Sequence, residues 1–231
     1  GQEGGGSTRT TRFRTDTPLA DGVAGHRALL FSPIRFSRMT SWTLLDEQHE
    51  GNYRIFDVRQ RRLQSPRSGR ISDFYVIDAP NWVNVIPLTP SGEVVCVRQY
   101  RAGTDTVTLE LPGGMVDPED ANTVVAGRRE LLEETGYSAN EFLDLGFVDP
   151  NPALQSNRCG TVLALNAHSV GPQQLDGSEE IDLACVPLAD IPGLILDGTI
   201  THALVVAGFY RFEHWRRAHP ERLPEALRAA L

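Results

Sequence analysis

Between Pro112 and Tyr137 the chain reads PGGMVDPEDANTVVAGRRELLEETGY, with Glu130, Glu133 and Glu134 following directly on Arg128 and Arg129. On a helix, positions three and four apart share a face, separated by about 6 Å of axial rise, so three carboxylates crowd one side. They also sit at the C-terminal end, where the helix macrodipole disfavours negative charge. Two kinds of cation could relieve that crowding. A hard divalent ion, Mg²⁺ or Mn²⁺, prefers oxygen ligands of this kind. Alternatively Arg128 and Arg129 pair the acids on a solvated helix, each pair adding only about 0.3–0.5 kcal/mol.

The elements that position these acids are legible on both sides of them. The spacing predicts a helix from about Asn122 to Thr135, stopped by Gly136, and a break in the preceding strand at Gly113-Gly114. Upstream, WTLLDEQ, YRIFDVRQRRLQ, ISDFYVIDA and WVNVIPLTP read as antiparallel strands divided by Ser-Pro-Arg-Ser-Gly and Ala-Pro-Asn turns, and EVVCVRQYRAG and TVTLELPGG add two more. LDLGFVDPNP, CGTVLALNA and IDLACVPL resume strand character, and ADIPGLILDG and HALVVAGFYRFEHWRRAH close the chain as helices. This order predicts an α/β fold, a mixed sheet sandwiched by a few helices. Residues 1–40, rich in Gly, Ser, Thr and Arg, read as a disordered tail or leader, 41–80 as an N-terminal β region, and 81–231 as the main domain.

Composition narrows the chemistry. All 22 basic residues among the 231 are Arg, which excludes a Schiff-base lysine and a lysine-bearing phosphate loop and leaves Arg, metal or backbone amides to hold an anion. A net charge of −8 argues against nucleic-acid or membrane-surface binding, and no apolar run approaches the ~18 residues of a membrane span. Cys96, Cys159 and Cys185 are far apart with no C-x-x-C pair, which fits a reducing cytoplasm. His168 and His202 have no spacing that suggests a metal site.

Arg129, Glu130, Leu131, Glu133, Glu134, Gly136 and Tyr137 resemble the second half of the Nudix box, G-x5-E-x7-R-E-U-x-E-E-x-G-U, where U is apolar. The first half departs from it: counting from Gly114 the expected Glu falls on Asp120, one residue further from Arg129 than the pattern asks, so either the loop carries an insertion or Glu119 takes the role. The resemblance implies an α/β/α sandwich whose box binds divalent metal, Mg²⁺ or Mn²⁺, against a diphosphate. It implies Glu130 and Glu134 as metal ligands, the Gly113 carbonyl as another, and Glu133 as a supporting ligand or a partner of Arg129. Gly113 and Gly114 would let the backbone approach the phosphates.

RQYRAG followed by LELPGG resembles the lead-in of the ADP-ribose pyrophosphatase branch, which implies that Arg101 reaches the substrate phosphates and places Glu110 among the substrate-binding residues. Pro152 lies near that branch's marker proline. In GSEEIDLACVPL, Glu179 matches the branch's water-activating base, with Glu180 in reserve. Phe74, Tyr75 and Trp82 are candidates to stack on a base, or else strand side chains of a core or dimer interface. Arg98 is open between a phosphate contact and a structural ion pair. The resemblance covers about residues 42–218 and implies a homodimer built through the N-terminal strands. The expected substrate is ADP-ribose or a related nucleoside diphosphate sugar. GDP-mannose, NADH and dinucleoside polyphosphates are the alternatives within the family, and an ADP-ribose sensor that does not cleave is the alternative outside it.

Overall fold

The three strands after Thr40 are joined by turns whose residues specify them. β1 (Thr43–Asn52), β2 (Asp57–Gln64) and β3 (Ile71–Asp78) pair antiparallel in sequence order. Between β2 and β3 the Ser65 hydroxyl accepts from the backbone of Arg67 and Ser68, and Gly69, at φ 68°, returns a bond to the Ser65 carbonyl. The computed structural model describes residues 40–177, 180–224 and 227; the expectation of a tail before residue 40 lies outside them.

A second, seven-stranded sheet follows, built from β4 (Trp82–Leu88), β5 (Glu93–Arg101), β6 (Thr106–Glu110), β7 (Gly113–Met115), β9 (Glu141–Val148), β10 (Cys159–Leu165) and β12 (Ile181–Pro187). Its main path runs β12-β5-β4-β10-β9, with β6 pairing β5 and β7 pairing β4. β4 and β10 are parallel and the other pairs antiparallel, so the sheet is mixed as the sequence suggests. Two-residue strands, β8 (Tyr137–Ser138) and β11 (His168–Ser169), pair separately; they are too short to show any periodicity.

Side-chain alternation along β4 and β10 divides the core into two layers. Val83, Val85, Val162 and Ala164 pack with Ala126 and Leu131 of α1 (Thr123–Thr135). Ile86, Leu88, Leu163 and Leu165 cluster with Ile191 of α2 (Ile191–Leu196) and Val205, Phe209 and Phe212 of α3 (Ala203–Ala218). The result is an α/β/α sandwich, with each fully buried aliphatic side chain stabilising it by about 1.5–3 kcal/mol. β3 joins this body through the 154–156 segment: Ile77 donates to the Leu154 carbonyl at 2.8 Å and accepts from Ser156 at 3.1 Å. Residues 41–231 therefore form one unit, and residue 80 falls between two sheets inside it.

One expectation changes. Gly113-Gly114 does not end a strand but makes one, pairing with Asn84 and Val83 of β4. A Cβ at residue 113 would sit 2.0 Å from the Val83 carbonyl, so only glycine allows the chain to lie this close.

Candidate active site

The acidic helix is fixed at both ends by its own sequence. Asn122 caps the start of α1, its side chain accepting from Val125 N at 3.0 Å. Gly136 ends it in the left-handed conformation, φ 67°, donating to the Leu132 carbonyl. Between these caps, Arg129 gathers oxygen. Its Nη1 donates to Glu130 at 2.9 Å and Glu133 at 3.1 Å, while Nη2 donates to the Met115 carbonyl and to Asp120, both at 2.9 Å, with Asp117 at 3.2 Å. Asp120 leads the neighbours that raise the Arg129 pKa, and Arg129 in turn lowers that of Asp120. This geometry separates the two candidates for the displaced first acid: Asp120 faces Arg129 with its side chain 6% exposed, and Glu119 lies exposed. Arg128 takes no part and lies 4.4 Å over the Phe142 ring.

Glu130 and Glu134 stand one turn apart on α1, 8% and 4% exposed, and both meet the glycine turn. Gly113 N donates to Glu134 Oε2 at 2.8 Å. A Cβ on Gly114 would come 2.5 Å from Glu130 Oε1, so the second glycine makes room for that carboxylate. Among the described residues no three His, Cys, Asp or Glu side chains converge to hold an ion by themselves. A divalent ion here would draw on the two glutamates, a backbone carbonyl, water and substrate oxygens. That mixed donor set suits Mg²⁺, which keeps several waters and uses one or two carboxylates. The buried all-oxygen pair beside a close-approaching backbone fits such an ion.

Arg101, at the end of β5, is clamped by Glu110 of β6. Nε donates to Oε1 at 2.8 Å and Nη2 to Oε2 at 2.7 Å, a bidentate pair. Glu110 is 2% exposed and also accepts from the Thr108 hydroxyl at 2.5 Å, with His202 Nδ1 2.9 Å from Oε2. Burial alone would raise the Glu110 pKa. The bonds from Arg101, His202 and Thr108 outweigh it and hold this carboxyl well below the usual range. The Glu110 hydrogen bond leads the causes that raise the Arg101 pKa, and the charges of Glu110 and Glu134 add to it. His202 is the residue the sequence did not offer: only the tertiary contact, 92 residues apart, gives it a partner.

A NUDIX domain model matches residues 80–209. The chain belongs to the NUDIX family. Curated relatives include an ADP compounds hydrolase, NudE, of Escherichia coli (28% identical, 58% of this chain and 70% of that protein). An ADP-ribose pyrophosphatase of Mycobacterium tuberculosis is 26% identical over 67% of this chain and 74% of its own length. A crystal structure of an ADP compounds hydrolase shares the fold, with a TM-score of 0.69 at 24% identity, covering 79% of this chain and 97% of that one. The chain is a Nudix pyrophosphohydrolase, and Nudix hydrolases generally require a divalent metal.

The Nudix resemblance singles out further residues that the structure places less centrally. Trp82 is half-buried at the start of β4, opposite Met115 and Cys159 in register. Phe74 is 39% exposed on β3, edge-on to Trp42 at 5.4 Å, and Tyr75 beside it is exposed. Arg98 is exposed on β5 with no ion pair among the described residues. Glu110 lies in the site, but its oxygens are taken by protein donors, so its contact is with Arg101 rather than with solvent. Glu180 is exposed just ahead of β12, and Glu179 lies outside the described residues. No helix of the described residues is long and apolar enough to cross a membrane.

Proposed function

We propose that this Nudix hydrolase cleaves the diphosphate linkage of ADP-ribose, or of a closely related nucleoside diphosphate sugar, to a nucleoside monophosphate and a sugar phosphate. The observation that carries the proposal is the pair of buried glutamates, Glu130 and Glu134, turned onto the Gly113–Gly114 turn. The names of the mycobacterial and Escherichia coli relatives support the substrate. The second of those names, ADP compounds hydrolase, favours a wider set of ADP-bearing diphosphates as the alternative reading.

Glu130, Glu134 and the Gly113 carbonyl would hold Mg²⁺, with Mn²⁺ able to replace it. When bound, such an ion screens phosphate charge, activates water and stabilises the leaving phosphate. The chain's own groups do the rest. Arg101 spends Nε and Nη2 on Glu110, which leaves Nη1 to donate to a phosphate oxygen. Glu133, 3.1 Å from Arg129, steadies the guanidinium that also holds Glu130 and Asp120. Glu179, with Glu180 in reserve, would take the proton as water attacks phosphorus in line; a new P–O bond forms and the bridging P–O bond breaks. Trp82, Phe74 and Arg98 are assigned to the base and the outer phosphate. A second copy of the chain docks on the β1–β3 sheet, where Trp42, Leu44, Leu45, Ile71 and Phe74 are exposed. The cytoplasm is the compartment that suits Cys96, Cys159 and Cys185 as free thiols.

Product analysis tests the reading. ADP-ribose, GDP-mannose, NADH and a diadenosine polyphosphate are incubated with the protein, with and without Mg²⁺. AMP and ribose 5-phosphate formed fastest from ADP-ribose, and only with metal, is the expected result. Faster turnover of another compound would move the substrate. Binding without cleavage of any would replace the hydrolase with a sensor.

A further inference from the structure

His202 occupies the N-cap position of α3 and does not cap it: no side-chain bond to the helix's first turn exists. Its ring turns away from those donors to Glu110, whose carboxylate lies within a β-strand of the main sheet. Glu110 is held ionised, and an ionised carboxylate only accepts, so His202 Nδ1 carries the hydrogen and donates at 2.9 Å.

The carboxylate's orientation decides whether Arg101 is held. The terminal torsion of a glutamate is broad, so neighbours must choose the plane of its oxygens. Here Oε1 receives Arg101 Nε and the Thr108 hydroxyl, and Oε2 receives Arg101 Nη2 and His202. Each oxygen thus has one bond to Arg101 and one to a second donor, and His202 supplies the second donor on Oε2. Without it, Oε2 keeps only the bond to the partly exposed arginine, and rotation of the carboxylate would unseat both bonds of the fork.

We propose that His202 is a positioning residue for the phosphate grip: through Glu110 it fixes the Arg101 guanidinium. This ties the start of α3 to the end of β5, and it rests on the reading of Arg101 as a phosphate ligand.

The test uses His202→Ala, His202→Asn and Arg101→Ala, with each variant's thermal midpoint measured to confirm folding. Binding of a non-hydrolysable α,β-methylene analogue of ADP-ribose is followed by calorimetry, KM and kcat are compared for ADP-ribose, and exchange of the Arg101 Nε–H is followed by NMR without ligand. Loss of one charge-assisted bond predicts about tenfold weaker binding for His202→Ala, carried by KM more than kcat, together with faster Nε–H exchange. Asparagine places an amide donor where Nδ1 stands, so His202→Asn restores most of both. In the Arg101→Ala background, His202→Ala should cost nothing further. Unchanged Nε–H exchange in a folded His202→Ala protein overturns the brace, as does an undiminished cost in the Arg101→Ala background. Failure of the wild type to bind the analogue would instead count against the proposed substrate, while the Nε–H measurement still decides the brace.

Discussion

Arg129 concentrates the electrostatics of the site in one side chain. Its two terminal nitrogens serve four carboxylates and a backbone carbonyl, and its Nε is buried with no partner among the described residues. Replacing it leaves Asp120 and Glu130 enclosed without their cation, a change that costs on the order of 3–5 kcal/mol. Urea unfolding should therefore show Arg129→Met destabilised by about 3 kcal/mol, with Arg128→Met, which loses a contact over Phe142, changed by about 1 kcal/mol or less. Glu134→Gln should keep the fold and lose most turnover; normal turnover in that variant would remove Glu134 from the site. Glu110 makes a pH prediction. Its folded pKa lies below the ordinary 4.5, so its contribution is complete above that value and disappears as pH falls below it towards the folded value. The thermal midpoint gap between wild type and Glu110→Gln should be constant from pH 7 to about 5 and narrow below 4.5.

At the level of the element, α1 begins and ends where it does because of its two caps. Asn122→Ala should lower stability by about 1 kcal/mol. Gly136→Ala should cost more, about 1–3 kcal/mol, because the left-handed backbone is strained for alanine and a Cβ there would lie 2.1 Å from the Gly171 carbonyl. Chemical denaturation of the two variants in parallel checks the ranking. Since Asn122 lies eight residues before Glu130, metal-dependent turnover of Asn122→Ala at low temperature should fall less than its stability does. The β7 strand is the counterpart element. Its glycines are fixed by two close approaches, to the Val83 carbonyl and to the Glu130 carboxylate, so that one turn both completes the sheet and lines the site.

At the level of the whole molecule, the two sheets differ in how they are covered. Both faces of the seven-stranded sheet carry helices, whereas nearly every residue of β1 is exposed and the β1–β3 sheet presents a set of large apolar side chains. Large apolar side chains exposed on one sheet suit an interaction surface. Sedimentation analysis should give a dimer at micromolar concentration, and paired Leu44→Asp and Phe74→Asp changes should shift it to monomer. A monomeric wild type would leave the β1–β3 face without the proposed second copy.

The sequence by itself determined the helix, its glycine stop, the placement of the acids on one of its faces and the mixed sheet, because these depend on residue periodicity and on local turn chemistry. It also carried the family, through the run Arg129 to Tyr137. What it left open was decided by side chains distant in sequence. Asp120 rather than Glu119 meets Arg129 because the loop's path after Met115 brings it there, and a one-residue departure in spacing cannot show that path. Glu110 is enclosed and committed to Arg101 because β5 and β6 pair in register, and His202 completes the same cluster because α3 begins against that sheet. Hydrogen bonds across 92 residues leave no periodic trace in a chain, so a histidine without neighbours in sequence acquires its partner only when the fold closes.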